Sequence, residues 1–440
     1  MRIGVFHPGT QHSWQTALGF QEAGMLGWYA TSAFYDPARW PYKLERYLPR
    51  HMSARLTREF RRRHNRFLNP ANVRQFGWWE WLETGLRRLG RQRLANYCNA
   101  RGNEVFGRQT IRLIEREPVD LVWGYNTSSL EVFQWAKKRG IRCVLDQTIG
   151  HPVAHNQIMQ AEQERHPEFF IKAFRPFDQA CIDRQNAEIA AADLVVVGSE
   201  FCARTMMENG CAPEKVAVIN YGFDESLFPT EPPRRAPVGR RPLECLFVGE
   251  VGPRKGLAYL LQAFMNLPAD KARLTLVGGL AIPPATFKRY ADRVRHVPQV
   301  PRSEVARFFA EADCFVFPSL FEGSAIVLYE ACGAGLGILQ TDRCGDGVRD
   351  GQNGLVLREI SVPALTEALE RLAANPARCE QWQAASWAGR TERTWANYRR
   401  NAAGRANSMG VMPPGSQGGL AGFSRAPAAN IKGSNPRPIS

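Results

Sequence analysis

Short apolar runs alternate with longer amphipathic segments through most of this chain. Apolar runs of about four to eight residues are typical of buried strands in parallel sheets, and longer segments with apolar residues at helical spacing predict surface helices. Eight such runs predict strands at 2–6, 120–123, 142–145, 194–198, 216–219, 243–248, 274–277 and 314–318. Because strands and helices take turns, the pattern predicts an α/β fold with doubly wound parallel sheets.

The alternation stops at a proline-rich segment, where five prolines occur in the fourteen residues from Pro229 to Pro242. Proline fixes φ and lacks an N–H group, so neither a helix nor a central strand continues there. We therefore predict a linker at 229–242 between a first lobe at 1–228 and a second lobe at 243–400. Residues 401–440 contain seven glycines, five prolines and no acidic residue, which predicts a disordered tail.

Composition narrows the class of protein. The 440 residues include 57 Lys plus Arg and 42 Asp plus Glu, a net charge of +15 that favours phosphate-bearing partners such as nucleotides, nucleic acid or anionic lipid. The ten cysteines include no CxxC pair, so neither a zinc ribbon nor a secreted disulfide framework is indicated. No apolar stretch reaches the roughly 18 residues of a membrane span. We expect a cytoplasmic protein.

One region departs from the α/β pattern. Residues 42–66 carry nine Lys or Arg against two Glu, and Trp78, Trp79 and Trp81 follow. Aromatic rings suit the headgroup layer and cations suit anionic lipid, so the region is compatible with an interfacial helix on the inner face of a membrane. A solvated helical face whose tryptophans pack on the lobe is the alternative, and the sequence leaves both open.

The segment FVFPSLFEGSAIVLYEACGAG, at 315–335, concentrates candidate chemistry at the predicted end of a buried strand. In open parallel sheets ligands lie beyond the carboxyl ends of strands, where this loop presents Glu322 and Gly323. A glycine there lets a ligand approach the backbone, and a helix that starts at Ser324 offers amide donors to an anion. Glu330 follows two helical turns later, about 12 Å away if the interval is helical, so the two carboxylates can hold opposite ends of one extended ligand.

This segment resembles the E-x7-E motif of the family 4 glycosyltransferases, which are retaining enzymes with the two-lobed GT-B fold. Further stretches resemble that family in the same order. They are GSEFCARTMMENGCAPEKVAVINYGFDESLF at 198–228, FVGEVGPRKGLAYLLQAF at 247–264, LTLVGG at 274–279 and DGQNGLVL at 350–357. The resemblance is strong over 193–357, weaker toward both ends and absent from the tail.

The resemblance implies roles for the second-lobe residues. Lys255, with Arg254 beside it, would neutralise the diphosphate of a nucleotide sugar as the anomeric bond breaks, which is a large electrostatic task. Glu322 would accept hydrogen bonds from hydroxyls of the donor sugar, and Glu330 from the ribose. Gly323 and Ser324 would contact the donor phosphates. Glu250 stands where relatives often have a phosphate-binding arginine, and Gly337 replaces a common proline.

The first lobe offers weaker candidates. The loop PGTQHSW after the opening strand carries Gly9 and Thr10, which the resemblance places near the donor phosphates, although many relatives have a glycine pair there. His151, in DQTIGHPVAH, stands where the family often presents a histidine to the transferred sugar. His155 competes for that role, and a loop histidine bonded only to backbone is a further interpretation.

The resemblance implies a retaining hexosyltransferase that needs no metal or other cofactor. Its partners would be a nucleoside diphosphate sugar and a glycan, polysaccharide or lipid-linked acceptor, with an anionic membrane surface as a further partner and no specific nucleic acid. The rival hypotheses are a sugar-nucleotide epimerase or an inactive relative on the same fold, and a basic protein that binds nucleic acid or membrane surfaces. The catalytic candidates are Glu322, Lys255 and His151.

Overall fold

The computed structural model describes residues 1–9, 11–36, 43, 47, 65–233, 235 and 241–411. Thr10, most of the basic segment 42–66 and the tail from 412 onward therefore lie outside the described residues.

The first lobe is built on a seven-stranded sheet with the order β3-β2-β1-β4-β5-β6-β7, in which every neighbouring pair is parallel. Its strands are β1 Ile3–His7, β2 Leu26–Thr31, β3 Val73–Gln75, β4 Leu121–Tyr125, β5 Arg142–Gln147, β6 Leu194–Val197 and β7 Val216–Val218. The described helices of this part are α1 Ser13–Glu22, α2 Trp78–Arg88, α3 Gln92–Arg116, α4 Leu130–Lys137, α5 Pro152–Arg165, α6 Gln179–Ala191 and α7 Glu200–Glu208.

The second lobe is built on a six-stranded parallel sheet with the order β10-β9-β8-β11-β12-β13. Its strands are β8 Leu243–Val248, β9 Ala272–Val277, β10 Val294–Val297, β11 Cys314–Phe317, β12 Gly337–Thr341 and β13 Gly354–Leu357. The described helices after the linker are α8 Leu257–Asn266, α9 Pro284–Lys288, α10 Arg302–Glu311, α11 Ile326–Gly333, α12 Val362–Ala373, α13 Pro376–Ala388 and α14 Trp395–Val411.

Burial explains why the central strands read as continuous apolar runs rather than alternating ones. Every residue of β1, β4, β6 and β11 is buried, as expected for parallel strands covered by helices on both faces. Helix α8 is buried at seven of its ten positions and packs against β9 and α12. The predicted fold of two doubly wound parallel lobes is confirmed.

The last helix, α14, returns from the second lobe to the first. Tyr398 on α14 shares a 2.7 Å hydrogen bond with Thr16 on α1, and Arg399 forms a 2.8 Å ion pair with Glu22 at the end of α1. The helix runs to Val411 and so includes the first eleven residues of the predicted tail, because its buried face packs on α1. Residues 401–411, expected to be disordered, are therefore helical.

The two lobes touch where the carboxyl ends of their sheets face each other. Polar contacts join α7 and the chain after β7 to loops of the second lobe. They include Ser199 Oγ to the Gly323 carbonyl at 2.5 Å, Arg204 to Asp342 at 2.8 Å, and Asn220 Nδ2 to Asp346 at 2.6 Å. The lobes are therefore in a closed arrangement. Among the described residues, no helix is both long enough and apolar enough to cross a bilayer.

Candidate functional site

A tight turn after β8 positions the candidate lysine. Residues Pro253–Lys255 form one 3-10 turn that ends at Gly256, whose φ is +70°. A Cβ at Gly256 would lie 2.0 Å from the Pro318 carbonyl oxygen, so only glycine permits this approach to the loop after β11. The local sequence thus brings Lys255 against the loop that carries Glu322.

The Glu322 carboxylate is the centre of the site. It is 8% exposed, and its Oε1 atom accepts a hydrogen bond from Lys255 Nζ, one of 2.6 Å from Ser319 Oγ, and an ion pair with Arg254 at 3.0 Å. Burial alone would raise the pKa of Glu322, but Lys255 and Arg254 beside it hold that pKa below its ordinary value. Glu322 is therefore an ionised acceptor at neutral pH.

The two cations are held by more than Glu322. Arg254 Nη1 also donates to the Phe321 carbonyl oxygen at 2.7 Å, and the Arg254 carbonyl accepts from Leu320 N at 2.9 Å. The ammonium of Lys255 lies 5.1 Å from the centroid of the Phe317 ring, and its side chain is 12% exposed. The structure thus brings the three predicted residues Arg254, Lys255 and Glu322 into one preorganised cluster at the ends of β8 and β11.

Gly323 lies where the two lobes pack against each other. A Cβ at Gly323 would lie 1.8 Å from the carbonyl oxygen of Thr148 in the first lobe, so the space beside its backbone is filled by protein in the closed arrangement. Ser324 likewise bonds Tyr329, with 2.6 Å between the hydroxyl oxygens. Helix α11 begins at Ile326 rather than Ser324, so the interval from Glu322 to Glu330 is only partly helical and the 12 Å estimate does not apply.

Glu330 lies on the buried face of α11 and pairs with Arg302 Nη2 at 3.1 Å. Burial raises the pKa of Glu330 above its ordinary value, and the Arg302 guanidinium offsets part of that rise. Arg302 opens α10 and is more than half exposed. A ligand hydroxyl that donates to Glu330 would compete with this solvent-facing partner.

His151 is occupied as a helix cap. Its Nδ1 accepts the backbone N–H of Val153 at 3.3 Å at the start of α5, which leaves Nε2 to donate to Asn186 Oδ1 at 2.9 Å. The ring is 1% exposed, and burial lowers the pKa of His151 while the bond to Asn186 offsets part of that shift. Both ring nitrogens are thus used within the first lobe, and no hydrogen bond or ion pair within the described part of the chain joins His151 to the Glu322 cluster.

His155, one helical turn later, faces the second lobe instead. Its ring centroid lies 5.0 Å from that of Phe321, the residue before Glu322, and its buried Nδ1 has no hydrogen-bond partner among the described residues. Burial and the nearby Arg254 guanidinium lower the pKa of His155. Pro152 is the sequence signal that distinguishes the two histidines, because a proline at the first helical position makes His151 the cap and leaves His155 on the helix.

The predicted first-lobe loop is only partly described. Gly9 lies beside His7 at the end of β1, where an added Cβ would be 3.0 Å from the His7 ring nitrogen Nε2. Thr10 lies outside the described residues. No contact within the described part of the chain joins Gly9 to the Glu322 cluster.

A polar cluster that sequence reasoning missed lies at the carboxyl ends of β1 and β5. Asp146 is 1% exposed and its Oδ2 lies 3.2 Å from His12 Nε2 and 3.2 Å from Trp123 Nε1, with Tyr398 OH at 3.3 Å. Its Oδ1 has no partner among the described residues. An aspartate at the end of a central strand was the available signal, because that edge of the sheet faces the cleft.

Comparison with known proteins agrees with this geometry. Residues 242–375 match the family model "Glycosyl transferases group 1". An alpha-maltose-1-phosphate synthase of Mycolicibacterium smegmatis is 26% identical over 49% of this chain and 65% of its own length. A D-inositol 3-phosphate glycosyltransferase of Kineococcus radiotolerans is 29% identical over 51% of this chain and 61% of its own length. The chain thus spans somewhat less than two thirds of these relatives.

Solved structures extend the likeness to both lobes. The sucrose-phosphate synthase of Thermosynechococcus elongatus has a TM-score of 0.63 at 16% identity, covering 93% of this chain and 99% of that one. The Anabaena protein HepE in complex with UDP-glucose has a TM-score of 0.58 at 15% identity, covering 93% of this chain and 100% of that one. At these identities the likeness concerns the fold. The predicted resemblance is therefore confirmed: residues 242–375 of the second lobe match the group 1 glycosyltransferases, and the two lobes together have the GT-B fold.

Proposed function

We propose that this protein is a retaining glycosyltransferase of the family 4 type that transfers a hexose from a nucleoside diphosphate sugar to a hydroxyl acceptor. One observation carries the proposal, namely the convergence of Lys255, Arg254 and Glu322 on a single buried spot at the ends of β8 and β11. Two cations there suit a departing diphosphate, and an ionised carboxylate suits sugar hydroxyls.

Similar proteins also support a nucleotide-sugar donor. HepE of Anabaena was solved with UDP-glucose, and the curated relatives are named as a synthase of maltose 1-phosphate and a glycosyltransferase. Nucleotide binding should begin with displacement of Lys255 from Glu322 by the diphosphate. Glu330 would then exchange Arg302 for ribose hydroxyls. The acceptor, a glycan, a polysaccharide or a lipid-linked sugar, would approach from the first lobe.

The donor is identified by thermal stabilisation with UDP, GDP and ADP, because a ligand that binds only the native state raises its apparent stability. Transfer is then followed as release of that nucleoside diphosphate from its hexose conjugates. A sugar that is isomerised rather than transferred would replace this proposal with an epimerase, and nucleotide binding without any turnover would indicate an inactive relative. Retention is read from the anomeric coupling constant of the product by NMR.

Independence from metal is part of the proposal, since Lys255 and Arg254 supply positive charge where the diphosphate departs. We expect turnover to survive exhaustive dialysis against EDTA. Loss of turnover under EDTA, restored by Mg²⁺ or Mn²⁺, would refute this part.

Attachment to a membrane surface is proposed for the hairpin of α2 and α3. This hairpin exposes four large apolar side chains, Leu82 at 52%, Leu89 at 76%, Leu94 at 49% and Tyr97 at 60%. Exposed apolar side chains can insert into a bilayer, and the adjacent basic segment can bind its anionic lipids. An enzyme bound to a membrane surface could reach a lipid-linked acceptor. Trp79 is a counter-indication within the same region, because it packs against Gly102 of α3.

Vesicle flotation with and without anionic lipid tests this part. We expect flotation to depend on anionic lipid and to weaken in the variant Leu89→Ser with Leu94→Ser. Met265→Ser, an exposed apolar side chain of the second lobe, is the matched control and should float like the parent protein. Absence of flotation at low salt would remove the membrane from the proposed function.

A further inference from the structure

A second cleft, of about 630 Å³, lies where helix α5 of the first lobe meets the second lobe. We call it the seam cleft. Its first-lobe wall includes Glu162 and Arg165, and its second-lobe wall includes Tyr259, Arg343 and Arg358. Neither Lys255 nor Glu322 lines it. The seam cleft is therefore distinct from the proposed donor site.

Glu162 places a buried carboxyl group in the wall of the seam cleft, and only one of its two oxygens has a hydrogen-bond partner among the described residues. The residue is 1% exposed, and its Oε2 accepts the hydroxyl of Tyr259 at 2.9 Å. The other oxygen, Oε1, is buried without a hydrogen-bond partner among the described residues. Buried carboxylate oxygens are almost always satisfied, so an unpartnered one in a cavity wall indicates a missing donor such as a ligand hydroxyl.

The same cleft presents three guanidinium groups. Arg343 approaches an acidic group only at 3.9 Å, through Asp342, and Arg358 has no ion pair within the described part of the chain. Arg165 contributes the third and lies beside Tyr259. Guanidinium groups bind phosphate oxygens in a bidentate fashion, and these three outnumber the two carboxylates that line the cleft, Glu162 and Glu359.

We propose that the seam cleft binds a small phosphorylated sugar or polyol, with the phosphate on Arg343 and Arg358 and a hydroxyl donated to Glu162. The hydroxyl satisfies Oε1 and the phosphate satisfies the arginines, so one molecule accounts for both features of the cleft. Glu162 and Tyr259 belong to different lobes. A ligand that contacts Glu162 in one lobe and Arg343 and Arg358 in the other stabilises the closed arrangement of the lobes.

Glucose 6-phosphate is the probe, measured by calorimetry on the full chain, with inorganic phosphate and glucose as its two halves. We expect saturable binding of glucose 6-phosphate at least about tenfold tighter than either half, because a tenfold step is about the contribution of one good charged hydrogen bond. The double variant Arg343→Ala with Arg358→Ala should weaken it by about tenfold or more. The matched control is Arg307→Ala with Arg371→Ala, which removes two exposed arginines outside the cleft and should change nothing.

Two further variants locate the ligand. Binding of glucose 6-phosphate should persist in Lys255→Ala. If Lys255→Ala abolished binding while the Arg343 and Arg358 double variant retained it, the phosphate would lie in the donor loop and the proposal would be overturned. Glu162→Gln keeps the shape of the side chain and the hydrogen bond with Tyr259. It should therefore weaken the binding of glucose 6-phosphate without weakening the binding of inorganic phosphate. Equal weakening of both, or no saturation by glucose 6-phosphate in the parent protein, would also overturn it. None of these measurements depends on sugar transfer, so they stand or fall separately from the proposed function.

Discussion

The two lobes face each other with surfaces, here called walls, that are built on different principles. The second-lobe wall consists of charged side chains that hold one another within two adjacent loops, with Glu322 accepting from Lys255 and Ser319. The first-lobe wall is one face of helix α5, whose side chains are occupied by capping, by aromatic packing on Phe321 or by the bond to Tyr259. The first arrangement concentrates charge for chemistry. The second positions one lobe against the other.

The largest effect should come from breaking the charged wall. Glu322→Gln or Lys255→Ala should lower turnover by about a thousandfold, because each removes an electrostatic partner in a water-poor site. Arg254 remains beside Glu322 in the lysine variant, so the fold should hold. Glu367→Gln and Lys271→Ala, on exposed positions of the same lobe, are the matched controls. Turnover within a few-fold of the parent in either site variant would contradict the assignment.

The contrast between the walls also predicts opposite responses to pH. Burial raises the pKa of Glu162 from an ordinary 4.5 to about 7, so the folded state holds more protons than the unfolded state in that window. Stability should therefore fall as pH rises from about 4.5 to about 7, by up to about 3 kcal/mol, because each tenfold difference in proton affinity corresponds to ~1.4 kcal/mol. Glu322 has a lowered pKa, so its contribution is present above about 4.5 and is lost as pH falls below that value.

Denaturant unfolding of Glu162→Gln across this pH range isolates the contribution of Glu162 to the pH dependence of stability. The amide does not ionise, so the fall in stability between about pH 4.5 and 7 should flatten while the loss below about 4.5 persists. Identical profiles for the variant and the parent protein would show that Glu162 titrates normally.

The junction of the two walls is tested at Gly323. In Gly323→Ala the new Cβ would meet the Thr148 carbonyl at 1.8 Å, and backbone on both sides leaves little room to yield. The lobes should move apart, with a loss of turnover of about a hundredfold, the size expected for misplacement by about 1 Å. Gly404→Ala on α14 adds its Cβ at an exposed position, with no heavy atom of the described residues within 4 Å, and serves as the control. Unchanged turnover in Gly323→Ala would mean that this contact plays no part in the active arrangement.

The smallest effects should come from His151, which caps α5, and His155, which lies on it. His151→Ala removes a helix cap and should cost about 1 kcal/mol of stability with little direct effect on turnover. His155→Ala should spare stability more and lower turnover more, because its ring faces Phe321 and Arg254. Thermal melts and kcat for both variants decide the matter. A kcat loss confined to His151→Ala at normal Tm would reverse the assignment.

The sequence predicted the second lobe in more detail than the first, for physical reasons. Strand β8 was placed at its observed bounds, and Lys255 and Glu322 converge because each follows a strand whose carboxyl end meets the other's. The packing of Gly323 against Thr148 depends on how the two lobes meet, which no local pattern encodes. The helix at 401–411 was missed because its composition is that of a tail, and packing on α1 supplies the stability that its propensity lacks.

The most direct test of the central claim is a crystal structure with whichever of UDP, GDP or ADP stabilises the protein most. We predict diphosphate oxygens about 3 Å from Lys255 Nζ, with Lys255 released from Glu322, and ribose hydroxyls on Glu330. A nucleotide bound elsewhere, with the pair of Lys255 and Glu322 intact, would contradict the account.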